Sequence, residues 1–215
     1  MKIGILGTGA VGQSLGEGFA KLGYAVKMGS RDPNKKEVQE WVSKNKNASS
    51  GTFAEAAAFG DIIVIATHWE KGATENAIRL AGKENFSRKI VIDVTNPLDF
   101  SESIPKMDVT YPDSAGLLIQ KWLPDAKVVK AFNIITAKYM TNPNLEEGKP
   151  DLFIAGNDEN AKKTVTVIAE KFGWEHVHDI GGIEQTYLLE ALAMLWIRYG
   201  FLNNYWQHAF KLLKR

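Results

Sequence analysis

Lys2-Ile3-Gly4-Ile5-Leu6-Gly7-Thr8-Gly9-Ala10-Val11-Gly12 stands at the start of the chain. A short apolar run leads into glycines spaced G-x-G-x-x-G, and an amphipathic stretch from Val11 to Leu22 follows. Strand, glycine loop and helix in that order begin a βαβ unit that binds dinucleotides. Gly7 lets the chain turn sharply out of the strand, and Gly9 lets a pyrophosphate approach the backbone. Gly12 lets the helix lie close to the sheet. Unpaired N–H groups at the helix N-terminus, with the positive end of its dipole, then face the phosphates. A ligand-free strand-to-helix turn shows the same glycines. The strand, loop, helix and second strand together argue for the ligand.

A second apolar run, Tyr24 to Met28, ends in Gly29-Ser30-Arg31. An NAD site carries Asp or Glu about 20 residues past the loop, bonded to the ribose 2′-hydroxyl. A carboxylate there repels a 2′-phosphate, whereas a guanidinium pairs with it through two parallel bonds. Ser30 adds a hydroxyl donor, and Lys35 and Lys36 add positive charge. NADP is therefore the expected coenzyme. Asp32 leaves a 2′-hydroxyl contact open, and Arg31 at the start of a solvated loop is the plainer alternative.

The chain has 215 residues, a formal charge of +1 and no cysteine. That length suits one large α/β domain or a domain with a small appendage. The charge gives no reason to expect a nucleic acid or membrane surface as partner. Without cysteine there is no disulfide, thiol catalysis or thiolate-bound metal. The first residues already read as a core strand, so no signal peptide is expected, and a reducing cytoplasm is the simplest location. The apolar C-terminal stretch from Leu188 to Leu213 is interrupted by Glu190, Arg198 and Lys211. Its uncharged apolar run Ala191–Ile197 is seven residues, well short of the about 20 a spanning helix needs.

Short apolar runs alternate with helical patterns to the end. Strands are expected at Lys2–Leu6, Ala25–Met28, Ile62–Ala66, Lys89–Val94, Lys127–Phe132, Leu152–Ala155 and Glu175–His178, with a further piece near Ala48–Thr52. Helices are expected at Val11–Leu22, Lys35–Lys44, Phe53–Ala58, Gly72–Ala81, Ser114–Leu123, Asn160–Phe172 and Glu184–Leu213, the last kinked or broken at Gly200. The rhythm predicts a Rossmann-type α/β fold, a doubly wound and mostly parallel sheet with a C-terminal helical appendage. Residues 1–182 form the NADP-binding domain in this reading. Residues 183–215 form helices packed on it or on a partner subunit.

Ligands in such folds sit beyond the carboxyl ends of the strands. The segments there are Thr67-His68-Trp69-Glu70, Thr95-Asn96-Pro97-Leu98 and Asn133-Ile134-Ile135-Thr136-Ala137. They are polar, without a nucleophile–base pair or paired carboxylates. That suits hydride transfer between two bound ring systems, which needs positioning and dry surroundings more than an acid or base. His68 reads as lining the site without a catalytic role, and no catalytic side chain is assigned. Asp93 reads as a structural group bonding loop N–H groups. His176 and His178 share a strand face, but two histidines rarely suffice for a metal, and none is expected.

These residues resemble a family. Gly7-Thr8-Gly9 to Gly12, Gly29-Ser30-Arg31, Trp69-Glu70, Asp93-Val94-Thr95-Asn96-Pro97, Val128-Val129-Lys130-Ala131-Phe132-Asn133 and Ala155-Gly156-Asn157-Asp158 carry the likeness. The chain is similar to the NADPH-dependent deazaflavin (coenzyme F-420) reductases. It is also similar to the oxidoreductase domain of the six-transmembrane epithelial antigen metalloreductases, which use NADPH and a flavin. The resemblance implies that Thr8, Gly9, Ala10 and Val11 hold the pyrophosphate, and Ser30, Arg31 and Lys35 the 2′-phosphate. It places Thr67 and Trp69 on the nicotinamide side, and Asn96, Pro97, Asn133 and Ala137 where nicotinamide meets the second ring. Archaeal deazaflavin reductases carry His and Pro where this chain has Asn133 and Thr136, so on those points it looks closer to the metalloreductase domain.

The expected activity is hydride transfer between NADPH and coenzyme F-420, FMN or FAD as a small-molecule redox partner. A small imine or hydroxy-acid reductase and an NADPH-sensing module without turnover are the alternatives. The apolar face between Ala191 and Phe210 predicts a homodimer.

Overall fold

The computed structural model describes residues 1–213. Ten strands and seven helices alternate through them. In chain order they are β1 (Lys2–Leu6), α1 (Ala10–Lys21), β2 (Ala25–Ser30), α2 (Lys36–Lys44), β3 (Ala48–Thr52) and α3 (Phe53–Phe59). Next come β4 (Ile62–Ile65), α4 (Ala73–Ala81), β5 (Ile90–Asp93), β6 (Leu98–Asp99), β7 (Lys106–Met107) and α5 (Ala115–Trp122). The last are β8 (Lys127–Lys130), β9 (Leu152–Gly156), α6 (Glu159–Lys171), β10 (Val177–Asp179) and α7 (Thr186–Asn203).

Eight strands form one sheet in the order β10-β9-β8-β5-β4-β1-β2-β3. The six from β8 to β3 run parallel. β9 is antiparallel to β8, and β10 follows β9. β6 and β7 make a separate two-stranded ribbon. The inner strands β1, β4 and β5 are buried on both faces because they are apolar at consecutive positions. In β4, Ile62 and Val64 join a core with Leu15 and Phe19 of α1, Trp41 of α2 and Val165 of α6. Ile63 and Ile65 point the other way, toward Ala56 of α3, Ile78 of α4 and Ile119 of α5. The Rossmann-type doubly wound fold is thus the observed one.

The order also sets the switch point. β1 is flanked by β2 and β4, so the chain leaves β1 first to one side and later to the other. The loops after β1 and β4 diverge there and open a crevice.

Three local expectations change. β8 stops at Lys130 and not Phe132, because Phe132 takes a left-handed conformation with φ 61°. β10 lies at Val177–Asp179 and not Glu175–His178, set by pairing with Leu152–Ile154. The largest correction is at the C-terminus, where one helix ends at Asn203 in place of a helical stretch to Leu213. Gly200 neither kinks nor breaks it. The helix runs on until Asn204 adopts φ 47°, where the Tyr205 N–H donates to the Gly200 carbonyl. Gly200 instead makes room for a ring: a Cβ there would lie 2.6 Å from the Trp206 side chain.

Beyond Asn204 the chain is irregular and folds back over its own domain. Thr136 Oγ1 donates to the Trp206 carbonyl at 2.7 Å, and Trp196 Nε1 to the His208 carbonyl at 2.8 Å. The Asp151 N–H donates to the Phe210 carbonyl, and the Leu212 N–H to Asp151 Oδ2, each at 3.0 Å. The tail earns its place by these bonds, since an apolar composition alone does not distinguish a helix from a packed irregular strand.

Candidate coenzyme site

Each loop glycine meets a distinct steric demand. Gly7 has φ 128°, and a Cβ on it would lie 2.3 Å from the Ala66 carbonyl oxygen. A Cβ on Gly12 would lie 2.2 Å from the Gly7 carbonyl oxygen, so α1 can start only this close to β1 with glycine there. A Cβ on Gly9 would meet nothing within 4 Å. The backbone there faces open space. α1 begins at Ala10 with no side-chain cap and no acid in its first turn. Its first N–H groups and dipole are therefore available to an anion. Ala10 and Val11 line this opening, and half-buried Thr8 precedes it in the loop.

At the end of β2, Ser30 is buried and its Oγ accepts from the Asp32 N–H at 3.1 Å. Asp32 is engaged locally as well: Oδ1 accepts from the Asn34 N–H at 3.1 Å. Arg31 and Lys35 are exposed, and among the described residues neither makes an ion pair. The two cations are thus free while the neighbouring acid is held in a turn, which fits a phosphate better than a 2′-hydroxyl.

A cleft of about 250 Å³ opens at the switch point. Gly9, Ala10 and Val11 form one side, Ala66, Thr67, His68 and Trp69 the second, and Val94, Thr95 and Asn96 the third. Leu98 and Phe100, from the β6–β7 ribbon and its turn, close the rim. Trp69 is a rigid wall. Its indole stacks on Trp122 with centroids 5.8 Å apart, and Nε1 donates to Asp108 Oδ2 at 3.0 Å. Thr67 Oγ1 donates to Thr74 Oγ1, which donates to the His68 carbonyl, so the loop after β4 is tied to α4. His68 is exposed on the rim.

Three expected residues lie behind the lining. Asn133 is buried and braces Asn96: Nδ2 donates to Asn96 Oδ1 at 3.0 Å and to the Leu189 carbonyl at 3.1 Å. Pro97 is buried and accepts the Asp108 N–H at its carbonyl. The Ala137 carbonyl accepts from Ser14 Oγ of α1 at 2.6 Å. Phe132, beside Asn133, holds a left-handed φ that a bulky residue adopts only under constraint. Here the constraint is burial among Phe172 and Trp174.

Beneath the cleft floor lies a group of charges that pattern reading passes over. Lys130 Nζ is 2.7 Å from Asp93 Oδ2 and 2.8 Å from Glu190 Oε1, and all three side chains are fully buried. Lys130 also donates to the Thr95 carbonyl at 2.7 Å. Burial alone would lower the lysine's pKa, but Asp93 and Glu190 outweigh it and hold it above the usual lysine range. Asp93 Oδ1 accepts from the Thr95 N–H and Oγ1, the loop-bonding role expected of it. Glu190 accepts the Ala115 and Gly116 N–H groups at the start of α5, at 3.0 Å each. The available signal was a lysine inside an apolar strand and one acid inside an apolar helix.

Elsewhere, His178 Nε2 lies 2.8 Å from Asp151 Oδ2. A larger hollow of about 420 Å³ lies where the tail crosses Leu145–Pro150, and none of its lining comes from the coenzyme loops.

Residues 2–97 match the family described as NADP oxidoreductase, coenzyme F420-dependent. The F420-dependent NADP reductase of Methanocaldococcus jannaschii is 30% identical over 209 residues, covering 92% of this chain and 91% of the relative. This chain belongs to the F420-dependent NADP reductase family. By that membership it is an NADP-dependent oxidoreductase. A solved structure from Arthrobacter sp. FB24, assigned as an F420-dependent NADP-reductase, is 34% identical with a TM-score of 0.93 and full coverage of both chains. Metalloreductase STEAP3 of Rattus norvegicus is 28% identical over 196 residues, 90% of this chain. The chain spans only 36% of that protein. No helix among the described residues is long and apolar enough to cross a membrane.

Proposed function

We propose that this family member transfers hydride between NADPH and a flavin-like ring, either the deazaflavin coenzyme F-420 or free FMN or FAD. One observation carries the reading. The cleft beside the glycine loop is apolar or neutral, and His68 on its rim is the one titratable side chain in its lining. Such a site orients and dries its contents and leaves the chemistry to them.

Ser30, Arg31 and Lys35 would hold the 2′-phosphate, and Gly9, Ala10 and Val11 the pyrophosphate. Bound there, the nicotinamide would supply or accept the hydride. Asn96, locked by Asn133, would orient the ring through its amide. Trp69, Val94, Leu98 and Phe100 would keep water from the reacting carbons. The chain would act as a cytoplasmic homodimer, paired through the exposed seam of α7 described below.

The test is to mix the chain with NADPH and, in turn, coenzyme F-420, FMN or FAD, and follow nicotinamide absorbance. Oxidation with the deazaflavin alone supports that acceptor, and oxidation with free flavins supports the other. Tight NADPH binding with no oxidation by any of them would overturn the reading in favour of a sensor.

A further inference from the structure

The proposed transfer leaves the buried Asp93–Lys130–Glu190 cluster without a task. Two carboxylates and one ammonium sum to a single negative charge. The α5 N-terminus against Glu190 returns roughly half a positive charge, so the cluster stays negative. All three side chains are fully buried, so solvent and salt screen them little. Their link to the cleft is Thr95, which lines it. Thr95 gives its N–H and hydroxyl to Asp93 and takes Lys130 on its carbonyl.

We propose that this cluster sets the redox preference of the site, its net negative charge favouring the oxidised, cationic nicotinamide over the reduced, neutral one. The inference rests on the nicotinamide occupying this cleft. The two coenzyme forms carry the same phosphates and differ in charge only at the ring. A fixed charge beside the ring therefore acts on one form and not the other. When hydride leaves the reduced ring, its two electrons reduce the acceptor ring and a positive charge develops on the nicotinamide. Asp93, Lys130 and Glu190 would make that direction easier. They are positioning residues, buried under the floor and out of reach of the reacting atoms.

The experiment is calorimetric titration of the full chain with NADP⁺ and, separately, with NADPH, for the wild type, Glu190→Gln and Asp93→Asn. The wild type should hold NADP⁺ at least as tightly as NADPH. Each variant removes one negative charge and should raise the ratio Kd(NADP⁺)/Kd(NADPH) by about threefold or more. A merely structural role would weaken both forms alike. An unchanged ratio in a variant with native circular dichroism therefore overturns the proposal. If neither variant folds, the wild type decides, and tighter holding of NADPH overturns it. A chain that binds neither form overturns the coenzyme reading itself, and this inference with it.

Discussion

Asn96 and Asn133 are locked by reciprocal hydrogen bonds. Asn96 Nδ2 donates to the Asn133 carbonyl at 2.8 Å, and Asn133 Nδ2 returns a bond to Asn96 Oδ1 at 3.0 Å. One residue lines the cleft and the other stands behind it. Asn133→Ala removes the bonds to Asn96 Oδ1 and to the Leu189 carbonyl, keeps the backbone carbonyl that takes Asn96 Nδ2, and leaves the glycine loop and Arg31 untouched. The expected result is a fall in kcat of about tenfold or more, with KM for NADPH changed little. Steady-state kinetics on both substrates checks it. A larger change in KM than in kcat would contradict the assignment.

Arg31→Asp places a carboxylate where the 2′-phosphate would sit. NADP affinity should fall by roughly 10²-fold, while NAD affinity stays within a few-fold. Parallel titrations with the two coenzymes decide it. An equal loss of both would show that Arg31 supports the fold and not the phosphate.

Gly200→Ala tests the tail. Helix propensity alone would make this change stabilising by roughly 0.5–1 kcal/mol. A Cβ 2.6 Å from the Trp206 ring predicts the opposite sign, a cost of about 1–3 kcal/mol. Thermal unfolding should show a lower Tm, by about 2–4 °C for each kcal/mol.

Leu188, Leu195, Tyr199 and Leu202 are each 45–65% exposed and fall on one seam of α7 at coiled-coil spacing. The expected occupant is the same seam of a second copy. Light scattering should give a dimer, and Leu195→Glu should give a monomer with secondary structure intact. A wild type that is monomeric at high concentration removes the proposal.

Burial raises the Asp151 carboxyl, but the bonds from His178 and the Leu212 N–H outweigh it and hold its pKa below the usual carboxylate range. A depressed folded pKa stabilises the protein above the ordinary carboxylate pKa. That stability is lost as pH falls through the folded value. Asp151→Asn should therefore flatten the acid limb of a Tm–pH curve.

The glycine turn was legible in the sequence because geometry dictates residue type there. Gly7 must be glycine against Ala66, and Arg31 stands where an NAD site has an acid. Lys130 and Glu190 were not legible as partners. Each looks like an interruption in an apolar run, and their pairing joins distant parts of the chain. The tail misled for a related reason. Tyr205 to Leu213 has a composition that suits a helix, and only Trp206 on Gly200 and the bonds to Asp151 show otherwise. Local pattern reports backbone demands well and long-range partners poorly.

Glu190 comes late in chain order, yet it completes the charge group beneath a cleft built mostly by the first hundred residues. A nascent chain whose α7 is still inside the ribosome would have its glycine loop, but also an amine and a carboxylate short of their third member. The buried charge group would be complete only with the last helix and not with the first.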